Sequence, residues 1–436
     1  MSSRIIRPVR KWSILSRVLR TRESSQLHIY NALQPFGDHI VKSSIIPAEK
    51  QQIFGYLGLG LVAIGIWWNY YPHNPYPPSV SKYLRKASWE EIKTKDYRKS
   101  ILFYTDALKE CIDLGYDPVD EKVTGIEIKI GEMYEKLNMK QEETDTYLKL
   151  LTKLYETINQ SGDKTRDNKL LIKKDLSVLI KLIKNMEAND TVKKNILLKH
   201  INLVQEEIEI SSPELDKIMK KGNETLFMNP KDKGYDSIMT NLHTFSKIFE
   251  PFKEEFIVSR DLYTDICKSS NDIDGAIYSK MITIGWMIVS DMGKEKILMS
   301  QANLGSLMYI KAGNIESLIY QLQKQGHQEK NRINIENLSK RYNNVLNMSE
   351  KYYQSVLERS SYSKISFPVG GEEDTILLQA RLLSMHGLGV IKLHKGDIPS
   401  ANRILMDTKA LASEYNFTDF QNACDHELQT IARLSA

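Results

Sequence analysis

Residues 81–114 read SKYLRKASWEEIKTKDYRKSILFYTDALKECIDL. Apolar residues here recur at three- and four-residue spacing, which is the period of an amphipathic helix rather than of a strand. Asp96 and Tyr97 form a turn in the middle, so the stretch predicts two helices packed as a hairpin. Small residues stand where such helices must approach closely, at Ser88 before the turn and at Ser100 and Ala107 after it. Tyr104 is the large residue that fills the gap to a neighbouring pair. A unit of this kind cannot bury its apolar faces alone, so copies are expected.

Three further candidates occur. Across 124–158, Gly131, Tyr134 and Tyr147 fit the pattern, while Glu143 and Leu150 stand where small residues belong. Near Ala302, Ser306 and Tyr309 are followed by Gly313-Asn314, read as a turn. The last copy has Gly389, the turn Gly396-Asp397, and Ala401. This spacing resembles the 34-residue TPR repeat. Strand signals are scarce, and after Val80 only Pro118, Pro213, Pro230, Pro251, Pro368 and Pro399 interrupt the chain. Loops are expected at 161–168, 220–234, 321–331 and 367–373, and the body is long enough for about ten helix pairs.

Upstream of the first hairpin lies IFGYLGLGLVAIGIWWNYY, Ile53 to Tyr71, with no Asp, Glu, Lys or Arg. As a helix it extends about 28 Å, close to the ~30 Å of a bilayer core. Trp67, Trp68 and Tyr71 at one end suit the membrane–water interface, and Gly60 and Gly65 lie within the span. Pro72, Pro75, Pro77 and Pro78 then form a stiff spacer expected to hold the body off the bilayer. The expected organisation is a leader at 1–50, a span at 51–71, a spacer at 72–80 and a repeat body at 81–436. The fold class is therefore all-α, with one N-terminal transmembrane helix followed by a TPR-like superhelix.

The leader carries Arg4, Arg7, Arg10, Lys11, Arg17, Arg20 and Arg22 before its first acid, Glu23. This is the pattern of a mitochondrial presequence rather than of a secretory signal, the alternative being a basic cytosolic tail ahead of a signal anchor. Residues 1–50 hold nine Lys or Arg against three acids, which leaves the remaining chain 51 bases against 52 acids. The net charge of +5 thus belongs to the leader, and the body has no electrostatic basis for binding nucleic acid. A matrix-directed leader followed by a single stop places the body in the intermembrane space.

Chemistry-bearing motifs are absent: no phosphate-cradling glycine loop, HExxH, CxxC or GxSxG occurs. Cys111, Cys267 and Cys424 are too scattered for a staple or a zinc site and read as small core hydrophobes. His386 and His394, on one helix but about 12 Å apart, cannot share an ion and read as surface or groove residues. No enzyme, cofactor or metal is expected.

Repeat arrays of this class bind peptides in a groove lined by the first helix of each pair. The groove positions here are Arg85 and Trp89, then Ile128 and Glu132, then His386 and Val390. One base and no Asn do not make a carboxylate clamp. Trp89 and Ile128 suggest instead an apolar groove for exposed hydrophobic segments, with burial of Trp89 against the proline-rich spacer as an equal alternative.

The order of basic leader, span ending WWNYYPHNPYPPSVSKYLRKA, repeat, then GIEIKIGEMYEKLN resembles the fungal TPR-containing adaptor of the mitochondrial inner-membrane i-AAA protease. The resemblance is sharpest over 65–140. It implies a non-catalytic protein of the inner membrane that binds unfolded or misfolded client proteins and delivers them to the protease beside a second adaptor subunit. It supplies no catalytic residue. Two other readings share the architecture, an outer-membrane import receptor and an assembly factor for a respiratory complex.

Overall fold

The computed structural model describes residues 75–160, 168–215, 245–324, 329–361 and 371–435. The leader, and with it the predicted span residues Ile53, Gly60, Gly65, Trp67, Trp68 and Tyr71, lies outside the described residues. Every regular element among the described residues is helical. They fall into two compact units, 75–133 and 134–435.

The first unit holds α1 (Pro78–Trp89), α2 (Tyr97–Asp113) and most of α3 (Glu121–Lys136). Helix α1 begins inside the stretch expected as spacer. A proline in the first turn loses no hydrogen bond, because that N–H has no intrahelical partner in any case. Tyr76, just upstream, is fixed to this unit: its hydroxyl donates to the Lys122 carbonyl at 3.1 Å. Between α1 and α2 the chain makes a π-turn, Glu90–Thr94, before Lys95 adopts a left-handed conformation (φ 55°).

The second unit contains α4 (Lys140–Gln160), α5 (Lys169–Asn185), α6 (Asp190–Ser211), the short α7 (Ser246–Phe249), α8 (Lys253–Ser269) and α9 (Ile273–Val289). It continues with α10 (Lys294–Lys324), α11 (Glu329–Ser361), α12 (Glu372–His394), α13 (Ile398–Glu414) and α14 (Thr418–Ser435). One buried cluster joins Phe249, Phe256 and Trp286 at ring separations of 5.6 to 6.4 Å. A larger one is centred on α10, α11 and α12 and includes Leu304, Met308, Leu346, Tyr353 and Ile391.

Three hairpins share one construction in register. A left-handed residue is followed by an aspartate N-cap at Lys95-Asp96, Asn271-Asp272 and Gly396-Asp397. Each aspartate accepts the backbone N–H three residues on, from Lys99, Gly275 and Ser400, at 3.1, 3.0 and 3.3 Å. The Asp272 and Asp397 N–H groups reach back to the carbonyls of Cys267 and Lys392, five residues earlier, which closes a Schellman turn. Asp96 reaches Glu90, six residues earlier, because the π-turn adds one residue. The small residues meet across each hairpin. Ser100 donates to the Ala87 carbonyl (2.9 Å), Thr264 to Ser279 (2.9 Å), and a Cβ on Gly389 would lie 2.7 Å from Leu405.

The helical repeats anticipated at residues 81–114 and around 389–401 are therefore present. The expected turn at Gly313-Asn314 is not: α10 runs through it without interruption. The hairpin that precedes it is α8–α9, turning at Asn271-Asp272, with Thr264 and Ser279 meeting across it. Glu143 and Leu150, which broke the pattern in the second candidate, are both buried. Glu143 keeps its carboxylate inside by accepting from Asn185 (2.7 Å). Helix α12 over Asp374–His394 is long and apolar enough to cross a membrane, yet two-thirds of that stretch is buried. It is a core helix, and its apolarity serves α10, α11 and α13.

Candidate functional site

In the first unit, α1 carries its buried residues Val80, Ser81 and Ala87 toward the hairpin. Its other face shows Lys82, Arg85, Lys86 and Trp89, at i, i+3, i+4 and i+7, all exposed. Trp89 is 59% exposed, which is unusual for the largest apolar side chain. Ile92, three residues on, is 66% exposed. Arg85, Lys86, Trp89 and Glu90 line an open depression of about 380 Å³ together with Phe103 of α2. Lys86 Nζ lies 5.5 Å from the Phe103 ring centroid, a cation–π approach.

The acids beside this depression are engaged within the unit. Glu90 accepts from the Thr94 hydroxyl, and Glu91 accepts from the Tyr104 hydroxyl at 2.9 Å. Burial, and then the Glu91 hydrogen bond and charge, push the Tyr104 pKa well above its ordinary value, so it stays a donor. Lys129 of α3 links the network, 3.8 Å from Glu91 and 2.8 Å from Glu132. Burial alone would lower the Lys129 pKa, but these two carboxylates more than offset it and the net shift is upward. Among the described residues neither Arg85 nor Lys86 takes part in an ion pair. The depression therefore presents two cations, two aromatic rings and the Glu90 carboxylate.

Of the residues singled out in the sequence, Arg85 and Trp89 are brought together at this depression. Ile128 and Glu132 lie on α3 and are partly buried, Glu132 being held by Lys129. His386 corrects the expectation of a surface or groove histidine. It is 4% exposed on α12 in the second unit, and its Nε2 has no hydrogen-bond partner. Burial pulls its pKa down, against the Glu427 charge and a backbone hydrogen bond at Ala423, so a neutral ring is favoured in the core. Lys86 and Phe103 were missed by the sequence reading. Lys86 follows a groove position directly, and Phe103 belongs to the second helix of the hairpin, so no groove-position rule selects either.

The second unit buries two polar clusters. His200 Nδ1 lies 2.8 Å from Asp175 Oδ2, both buried, with Tyr155 edge-on to the imidazole. Burial raises the Asp175 pKa, opposed by His200. Arg260 is buried between Thr283 (3.2 Å) and Gln205 (3.3 Å), and burial lowers its pKa to about 10. Among the described residues no group of three or more His, Cys, Asp or Glu side chains is placed to hold a metal ion. Cys111, Cys267 and Cys424 are all buried free thiols.

The described residues form helical hairpins of the helical-repeat class, and the first unit carries an open depression lined by cationic and aromatic side chains. The family model described as the MGR3 middle domain matches residues 132–292, which begin near the boundary between the two units and end after α9. The chain is 32% identical over 432 residues to the mitochondrial inner membrane i-AAA protease supercomplex subunit MGR3 of Saccharomyces cerevisiae, covering 91% of this chain and 85% of that protein. It is 31% identical over 404 residues to the protein MRG3-like of the same yeast, covering 86% of each. The chain belongs to the MGR3 family. Among solved structures, a circular tandem repeat protein with a novel repeat topology matches 81% of this chain and 88% of its own at 12% identity. Its TM-score of 0.22 is too low to bear on the fold.

Proposed function

We propose that this chain is a non-catalytic subunit of a mitochondrial i-AAA protease supercomplex, anchored in the inner membrane by residues 51–71 with its helical body in the intermembrane space. It binds unfolded or misfolded client segments and presents them to the protease, alongside a second adaptor subunit. The observation that carries this reading is the 32% identity, over nearly the whole chain, to a relative named as a subunit of that supercomplex. Stacked helical hairpins suit the role, since such arrays offer extended surfaces for partner segments. The open depression of Arg85, Lys86, Trp89 and Phe103 supplies an apolar contact with cationic edges, and Ile128 and Glu132 on α3 complete the proposed client surface. His386, being buried, is left out of it.

Trp89→Ala is the direct test. Because Trp89 is mostly exposed, the change should alter stability by no more than ~0.5 kcal/mol and leave membrane insertion intact. Client cross-linking and client turnover by the protease should fall several-fold. Unchanged turnover would remove Trp89 from the client surface.

A further inference from the structure

We propose that the Lys82, Arg85, Lys86 and Trp89 face of α1 seats on the anionic lipid surface of the membrane that holds residues 51–71, so that clients are met at the bilayer. The inference rests on the proposed span and gives the same depression a second occupant. It also reverses the expectation that the proline-rich segment holds the body away from the membrane.

Tether length is the first argument. Tyr76 is already part of the folded unit, through its hydroxyl on the Lys122 carbonyl and through the Ser81 hydroxyl, which donates to the Tyr76 carbonyl at 3.3 Å. Tyr71 closes the apolar run, so Pro72, His73, Asn74 and Pro75 alone separate span from fold. Five Cα steps reach at most about 18 Å even when fully extended. The polar headgroup layer on one side of a bilayer occupies roughly 5–8 Å of that distance. Helix α1 starts two residues after Tyr76 and is about 18 Å long, so even a fully extended tether starts the fold within about 13 Å of the headgroup layer, and a bent one brings it closer.

Chemistry of the face is the second argument. Three cations and a tryptophan form one helical stripe with no acid in it, and all four are exposed. Lys and Arg near the end of a span are drawn to anionic headgroups, and tryptophan prefers the interfacial layer. Of the neighbouring carboxylates, Glu91 is paired with Lys129, while Glu90, held by the neutral Thr94 hydroxyl, keeps its charge, so the stripe and Glu90 together still carry two net positive charges. At physiological salt the Debye length is about 8 Å, so the surface potential acts on these cations once the short tether brings them within that range.

The test uses the full chain reconstituted in vesicles of phosphatidylcholine alone or mixed with cardiolipin. Cys111, Cys267 and Cys424 are buried, so a cysteine introduced at an exposed site takes a polarity-sensitive fluorophore selectively. Ile92→Cys reports beside the face, and Met406→Cys, exposed in the second unit, is the control. In cardiolipin vesicles the label at 92 should shift to the blue and be quenched by nitroxide lipids, while the label at 406 does neither. Each cation contributes about a fivefold bias toward the surface. Replacing Lys82, Arg85 and Lys86 together with Gln should therefore shift the seated-to-detached ratio on the order of a hundredfold, and high salt should act in the same direction.

A label at 92 as water-exposed as that at 406, in a chain that resists alkaline carbonate extraction, overturns the lipid seat while sparing the span. A blue shift that appears only when an unfolded polypeptide is added assigns the face to clients alone and likewise overturns it. Release of the chain by carbonate removes the span, and the seat with it.

Discussion

Tyr353 of α11 reaches between two glycines on different helices. A Cβ at Gly305 of α10 would lie 2.9 Å from one edge of its ring, and a Cβ at Gly387 of α12 would lie 2.4 Å from the other. The ring is buried, its hydroxyl lies 3.0 Å from the Ser306 hydroxyl, and Ser349 donates to the Gly305 carbonyl at 2.8 Å. With both edges occupied the ring has no direction in which to yield. Gly387→Ala should therefore destabilise the second unit: overpacking costs about 1–3 kcal/mol, against roughly 1 kcal/mol gained in helix propensity. Gly313→Ala is the matched control, because nothing lies within 4 Å of its Cβ position, and it should stabilise by about 0.5–1 kcal/mol. Urea denaturation midpoints of the two variants should move in opposite directions. Nothing in the one-dimensional pattern distinguishes these two mid-helix glycines. Gly313 was read as a turn, whereas what matters is which glycine a neighbouring aromatic approaches.

Helices α11 and α12 are also tied by charge. Glu350 of α11 accepts from Lys392 at 2.9 Å and from Lys395, both at the end of α12, where cations additionally favour the helix dipole. Burial raises the Glu350 pKa, but the hydrogen bonds and charges of the two lysines outweigh it, and the net shift is below the ordinary 4.5. A carboxylate with a depressed folded-state pKa contributes stability above its unfolded pKa and loses it as pH falls through the folded value. Glu350→Gln should therefore lower the denaturation midpoint near neutrality, and the difference from the unchanged protein should close as pH falls below about 4. A difference that persists undiminished in acid would assign the effect to packing instead. The hairpin turns lie at this same scale and were partly legible. Gly396-Asp397 was read correctly, because glycine announces a left-handed turn. Asn271-Asp272 was not, although asparagine tolerates that conformation and the aspartate is an ordinary helix start.

For the molecule as a whole, the proposed topology makes a direct prediction. A C-terminal tag should be protected from protease in intact mitochondria and digested once the outer membrane is ruptured, as a body in the intermembrane space requires. Digestion in intact mitochondria would place the body in the cytosol and favour an import receptor. Composition and periodicity alone determined that the body is all-helical, that it is built from repeated hairpins, and that its positive and negative charges nearly balance. Those properties are sums over many residues or recur at a fixed spacing, so they survive without coordinates. Only the tertiary structure decided that His386 is a core residue, that α12 is a buried helix rather than a span, and that Phe103 joins Arg85, Lys86 and Trp89 at one depression. Each of these depends on which side chain of one helix meets which of another. Contacts between residues distant in sequence set that, and a local pattern does not encode it.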